Sequence, residues 1–272
     1  MGIKDIKIIF IDLDGTSLDY KHKLLSKKNL EIINKCREKN IKVVVSTGRG
    51  LNQKTWDILN QINDNSNIIA WNGAKIIKNN KEVFSSAIPQ KILDEIAVLI
   101  RKYRISTVVN SDFKNHSYTD SKLMRLVIKL KRSKAKPVSK FKPNFEIFKL
   151  IFIPKSKKMF AKFRNELTLK FKNELNILDA RSYTSFIEVT DKNASKGIAE
   201  VLFSRLDNVL PQNCIHIGDT MNDSTTVGKI KYVIAMKNAT KEFKKIANFI
   251  SPYSFKSGGL AKTINHFLFN EK

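Results

Sequence analysis

The chain has 272 residues, 42% of them hydrophobic, and a formal charge of +25. That length allows either one large α/β domain or a core carrying a smaller inserted one, and the composition excludes a disordered or fibrous chain. No apolar run reaches the roughly 18 residues a membrane span requires, so no membrane partner is expected, and the N-terminal residues lack a secretory pattern, so a cytoplasmic location is expected.

Residues 6–11 form a near-continuous β-branched run, the mark of a strand buried on both faces of a parallel sheet. An acidic, Gly-containing turn follows. Residues 26–40 read as a helix with Ser26 as its N-cap and Leu30, Ile33 and Cys36 on its apolar side. A second buried strand, 41–45, ends in Ser46-Thr47-Gly48-Arg49, which completes a βαβ unit. A helix over 51–61 leads to a strand over 68–71 and the turn dipeptide Asn72-Gly73. From about residue 84 to 188 the texture changes, with a helix over 91–103 and strands over 106–109, 145–153 and 186–189. The α/β pattern then resumes with a helix over 195–206 and strands over 214–217 and 232–236. The expected fold is an α/β core with a doubly wound, mostly parallel sheet, residues 1–84 and 190–272, carrying an inserted α+β domain, residues 85–189.

The positive charge admits a nucleic-acid partner, an anionic surface or small anionic substrates. Lysines are scattered along a chain also rich in Asn and Ile, which points to compositional bias instead. Residues 122–132 have helical periodicity, with apolar and basic positions able to lie on opposite faces; the basic side is read as a solvated face. Were it a nucleic-acid surface, affinity would fall steeply with salt, and a flat salt response would remove that reading. Cys36 and Cys214 match no zinc or redox spacing, and His22, His116, His216 and His266 show no metal spacing. His216, within a buried strand, is expected to be a packed core residue.

Ligands of an open parallel sheet sit beyond the carboxyl ends of its strands. Those ends carry Asp12-Leu13-Asp14-Gly15-Thr16, Thr47-Gly48-Arg49 and Gly218-Asp219-Thr220-Met221-Asn222-Asp223. If these strands are neighbours, four carboxylates converge, and such crowding needs a cation; oxygen ligands favour magnesium over zinc. A carboxylate can attack phosphorus to form an acyl-phosphate, and a second acid two residues on can protonate the leaving oxygen and then activate water. Lys196, Thr47 and Asn222 offer the charge and donors that phosphoryl transfer demands.

Taken in order, Asp12-Leu13-Asp14-Gly15-Thr16, Thr47-Gly48-Arg49, Lys196 and Gly218-Asp219 to Asn222-Asp223 resemble the four motifs of the haloacid dehalogenase superfamily of phosphohydrolases. The long insertion between the second and third is similar to that of the Cof-type branch with a type IIB cap. The resemblance implies that Asp12 is the nucleophile and Asp14 the general acid/base. It implies that Asp12, the backbone carbonyl of Asp14 and Asp219 hold Mg2+ with support from Asp223, and that Thr47, Gly48, Lys196 and Asn222 bind phosphoryl oxygens. It also implies a cap that selects the substrate, a small phosphorylated metabolite. Asn72 and Arg49 are possible substrate contacts, though Asn72 also reads as a turn residue and Arg49 as the partner of a neighbouring acid. Residues 224–227 and Gly258-Gly259 depart from the family pattern. Two alternatives stand beside a phosphatase: a sugar phosphomutase of the same fold, or a basic nucleic-acid-binding or regulatory protein with a vestigial site.

Overall fold

A computed structural model describes residues 3–19, 24–130, 132–179 and 186–269, so His22 and Lys131 lie outside the described residues. The strands and helices follow in chain order as β1 (Ile8–Ile11), α1 (Lys27–Glu38), β2 (Lys42–Ser46), α2 (Gln53–Gln61), β3 (Ile68–Ala70), β4 (Lys75–Lys78) and β5 (Lys81–Ser85). Next come α3 (Gln90–Tyr103), β6 (Ser106–Val109), β7 (Ser117–Tyr118), α4 (Lys122–Leu130), β8 (Leu150–Ile153), α5 (Lys157–Phe171), β9 (Leu175–Asp179) and β10 (Ile187–Asp191). The last are α6 (Lys196–Leu206), β11 (Cys214–Gly218), β12 (Tyr232–Ala235), α7 (Lys241–Ile246), β13 (Phe249–Ile250) and α8 (Gly259–Ile264). Two compact units result, Met1–Phe84 with Ser195–Lys272, and Ser85–Ala194. The chain re-enters the first unit at Ser195 and not at residue 190, because β10 stays paired with β9 through Asp191, opposite Leu175.

In the first unit the sheet order is β13-β12-β11-β1-β2-β3-β4-β5. The strands from β13 to β3 are parallel, and β4 reverses against β3. From β1 the chain builds outward through β2 and β3, then returns to build the other side from β11, so strand order switches between β1 and β11. Successive β1 residues face opposite sides of the sheet. Ile9 and Ile11 pack with Ile33 and Cys36 of α1, Leu59 of α2 and Leu260 of α8. Ile8 and Phe10 pack with Ala199 and Phe203 of α6, the two phenyl rings edge-on at 5.9 Å. Helices therefore cover both faces, which is why the central strands read as continuous apolar runs. Burial pushes the thiols of Cys36 and Cys214 up to about 12, so both are unreactive packing residues.

Helix starts follow side-chain chemistry. The Ser26 hydroxyl accepts the Asn29 amide, Asn52 accepts that of Thr55, and Ser195 accepts that of Ile198 at 3.2 Å.

The second unit is an antiparallel sheet in the order β7-β6-β8-β10-β9. Leu93, Ile96 and Ile100 of α3 and Phe160, Phe163 and Leu167 of α5 pack with Val109, Leu150, Phe152, Ile187 and Val189. This is the expected α+β layer. The strand expected from residue 145 starts only at Leu150, since the amides of Phe148 and Lys149 donate to the Asn110 carboxamide at 2.7 and 3.2 Å instead of to a neighbouring strand.

Helix α4 departs from the amphipathic expectation. Ile128 is its buried side chain, while Leu123, Leu126 and Leu130 are 70%, 54% and 76% exposed. The helix thus presents apolar as well as basic residues to solvent, and the solvated basic face expected from the pattern describes only part of its outer surface. Because Leu130 buries little, Leu130→Gln is expected to change the unfolding free energy by no more than about 0.5 kcal/mol. Urea denaturation checks this, and a larger loss would show that the helix face is covered. No helix among the described residues is long and apolar enough to cross a membrane.

Candidate active site

The switch in strand order brings three loops together. The register pairs Ile11 with Val45 on one side and with Ile217 on the other, so Asp12, Thr47 and Asp219 follow neighbouring strand ends. The Asp12 amide continues the β1 pairing by donating to Ile217 at 3.0 Å, and the Ser17 hydroxyl donates to the Asp12 carbonyl. At Gly15, φ is +83° and an added Cβ would lie 2.2 Å from Asp219 Oδ2, so only glycine permits this loop to close on Asp219.

Lys196, the first residue of α6, is fully buried and holds two acids, with Nζ 2.6 Å from Asp12 Oδ1 and 2.6 Å from Asp223 Oδ1. Burial opposes its charge, but Asp12 and Asp223 outweigh burial and hold its pKa above the usual lysine value. Burial pushes Asp12 up to about 7 against the pull of Lys196, and Asp223 adds to the rise. Burial also raises Asp223, yet Lys196 and His216 override it and keep that carboxyl well below the usual range. Asp223 is further fixed by the amides of Asp219 and Thr220, which donate to its Oδ2 at 2.8 and 2.9 Å.

Asp12, Asp219 and Asp223 each bring a carboxylate oxygen within 4.8 Å of the others. Burial first and the Asp223 charge second disfavour the charged form of Asp12, and a cation among the three acids would favour it. A donor set made only of anionic oxygens suits a hard divalent ion. The residues present therefore fit such an ion.

Asp14 stands apart from that trio. Its carboxylate is 45% exposed and takes a two-point grip from Arg49, whose Nε and Nη2 each lie 2.6 Å away. Of the two roles open to Arg49 in the sequence, the structure shows the neighbouring acid as its partner, and Asp14 raises the guanidinium pKa further. Thr47 is buried at the end of β2, with Gly48 half-buried beside it. The Thr47 carbonyl accepts the Asn72 amide at 3.0 Å. Asn72 lies in the turn between β3 and β4 with φ +58°, and its side-chain oxygen accepts from Asn222 Nδ2 at 2.9 Å. The turn reading of Asn72 is the one the structure shows, and its side chain is tied to Asn222.

Gly197 lies inside α6. An added Cβ there would sit 1.9 Å from the Thr225 carbonyl oxygen, so glycine is needed for the helix to approach the 223–226 loop. Gly197→Ala should cost about 1–3 kcal/mol by forcing that loop away, as overpacking does. A thermal melt checks the loss. Within 224–227, a departure from the family pattern, the polar residues are satisfied locally: Ser224, Thr225 and Thr226 hydroxyls donate to the carbonyls of Met221, Asn222 and Asp223. At the other departure, Gly258 adopts φ +77° and its amide donates to Asp19 at 2.6 Å.

Three polar residues were not singled out as site residues by the motifs. His216, expected as a packed core residue, is fully buried but bridges Glu200 Oε1 at 2.8 Å and Asp223 Oδ1 at 3.0 Å. Burial lowers its pKa, but Glu200 and Asp223 prevail and raise it to about 9. Asn238 donates to the Gly15 carbonyl at 2.8 Å and to Asp219 Oδ2 at 3.3 Å, beside the acid cluster. A polar residue inside an apolar strand, and an acid on the inner side of a helix, were the signals available for His216 and Glu200.

Residues 9–264 match the family model of haloacid dehalogenase-like hydrolases. The 5-amino-6-(5-phospho-D-ribitylamino)uracil phosphatase YcsE of Bacillus subtilis is 25% identical over 97% of this chain and 96% of its own. A haloacid dehalogenase-like hydrolase from B. subtilis superposes with a TM-score of 0.78 at 21% identity, over 97% of this chain and all (100%) of that one. The subclass IIB sugar phosphatase BT4131 does so with a TM-score of 0.75 at 19% identity, over 96% of this chain and 98% of that one. At such identities the structural likeness is one of fold. The family match, however, runs from within β1 to the end of α8 and takes in Asp12, Lys196, Asp219 and Asp223, so the chain belongs to the haloacid dehalogenase-like hydrolases.

Proposed function

We propose that the protein is a Mg2+-dependent phosphatase that hydrolyses small phosphomonoesters, sugar phosphates or similar metabolites, through an aspartyl-phosphate on Asp12. The observation that carries this reading is the Asp12 carboxylate held at 2.6 Å by a buried lysine, beside two further acids. Asp12, Asp219, Asp223 and the backbone carbonyl of Asp14 would hold the Mg2+. When bound, the ion supplies positive charge that offsets the phosphoryl oxygens and the crowded carboxylates.

An Asp12 oxygen attacks phosphorus, the bond to the leaving oxygen breaks, and Asp14 gives that oxygen its proton. Asp14, now a carboxylate, takes a proton from water as the water oxygen attacks phosphorus; the Asp12–phosphorus bond breaks and phosphate leaves. Lys196, Thr47, the Gly48 amide and Asn222 bind the transferring oxygens. Arg49 occupies both Asp14 carboxylate oxygens in the structure, so Asp14 takes up its acid/base role only after leaving Arg49. An anionic group on the substrate that engages Arg49 would release it. Because these residues address only the phosphoryl group, we assign substrate selection to the inserted unit, Ser85–Ala194.

The test is a panel of phosphorylated metabolites, including sugar phosphates and the ribitylaminouracil phosphate named for YcsE, assayed with and without Mg2+. Phosphate release that requires Mg2+ supports the reading. Isomerised product without free phosphate would replace it with a mutase, and inertness across the panel would favour a vestigial site.

A further inference from the structure

We propose that Glu200 and His216 form a positioning pair that fixes Asp223, and through it the Lys196 ammonium, against Asp12. This inference rests on the phosphatase reading of the site. Both residues are wholly buried, Glu200 on α6 and His216 on β11, so the pair ties together the two elements that carry Lys196 and the Asp219–Asp223 loop. His216 Nε2 lies 3.0 Å from Asp223 Oδ1, the same oxygen that lies 2.6 Å from Lys196 Nζ. The other Asp223 oxygen is occupied by two backbone amides. Asp223 is thus held from both ends, and His216 fixes the end that sets where Lys196 sits. Without it, that oxygen would be held by Lys196 alone among the contacts described, and the carboxylate could turn about the bond that its amide contacts leave free.

Stability gives little reason to keep the pair. Replacing a buried ion pair by well-packed apolar residues is often neutral or stabilising. The second Glu200 oxygen is buried and finds no hydrogen-bond partner among the described residues, an arrangement that costs stability and so points to a role for the His216 contact beyond packing. Partners that orient a metal-binding carboxylate contribute to function out of proportion to their distance from the chemistry, and their loss typically costs about 10- to 100-fold in metal affinity or activity.

The experiment compares the parent with the double variant Glu200→Leu/His216→Phe, which fills the space without the hydrogen bonds. Calorimetric titration with Mn2+ reads the acid cluster whether or not turnover occurs, and kcat and KM are measured with p-nitrophenyl phosphate. The double variant should melt at or near the parental temperature, bind Mn2+ about 10- to 100-fold more weakly, and lose kcat with little change in KM. Parental Mn2+ affinity and kcat in the folded double variant would overturn the proposal. Should that variant fail to fold, His216→Gln decides, because one amide donor group replaces two ring nitrogens on opposite sides. Weakened Mn2+ binding in folded His216→Gln supports positioning, and parental binding overturns it. A parent that binds Mn2+ but hydrolyses nothing would sink the phosphatase reading while the affinities still test the pair. An active parent with unchanged variants would sink the pair alone, and a parent that binds no Mn2+ would sink both.

Discussion

Asp12→Asn is expected to lower phosphate release by about 10⁴-fold or more, because the amide cannot form the acyl-phosphate and the whole two-step route closes with it. The substitution is nearly isosteric. Its amide oxygen can still accept from Lys196 Nζ, and it removes a buried negative charge that its surroundings disfavour. The variant should therefore stay folded, with a melting temperature no lower than the parental one, which separates loss of chemistry from loss of structure. Release of phosphate from p-nitrophenyl phosphate in the presence of Mg2+, measured beside a thermal melt, checks both halves. A folded variant with near-parental turnover would remove Asp12 from the chemistry.

Lys196→Met should damage both stability and activity. Its ammonium compensates Asp12 and Asp223 with no exposure to solvent, so its removal leaves two buried carboxylates facing each other and Asp219. Breaking a buried pair in this way costs about 3–5 kcal/mol. Turnover falls as well, because the transferring phosphoryl group loses a cation. Since the defect is excess negative charge, Mg2+ should raise the melting temperature of the variant by more than it raises that of the parent. Differential scanning fluorimetry across a Mg2+ series reads this comparison. A variant that melts like the parent without added metal would show that Lys196 does not compensate the acids.

The fold was legible where burial imposed a simple pattern. β1, β2 and β11 are covered by helices on both faces, and their runs of Ile, Val and Phe announce this directly. Because the loops after those strands end in acids, Thr-Gly-Arg and Gly-Asp, the expected convergence at one sheet edge followed from connectivity alone. The two-residue strands β7 and β13 carry too few residues for periodicity to register. Phe145, Ile147 and Phe148 give residues 145–149 the look of a strand, but Asn110, distant in sequence, takes the amides of Phe148 and Lys149, a competition invisible to a local window. The outward Leu123, Leu126 and Leu130 of α4 escaped for a similar reason, since a hydrophobic period shows which residues share a side and not whether anything covers that side.

Within the site, residue identity announced the acids and the lysine that the fold gathers, whereas their supports were hidden. Arg49 could have faced substrate or acid, and only the folded loop selects Asp14. Glu200 and His216 lie 16 positions apart, and nothing in either segment declares that α6 and β11 bring them together.

The proposal that Asp12 carries the phosphoryl group in turnover is tested most directly by acid-quenching the enzyme during hydrolysis of a phosphate-labelled substrate and mapping the label by peptide mass spectrometry. An acid-stable, hydroxylamine-sensitive phosphoryl group on Asp12 is the expected result. Steady phosphate release from a protein that is never labelled, or a label carried by any other residue, would contradict it.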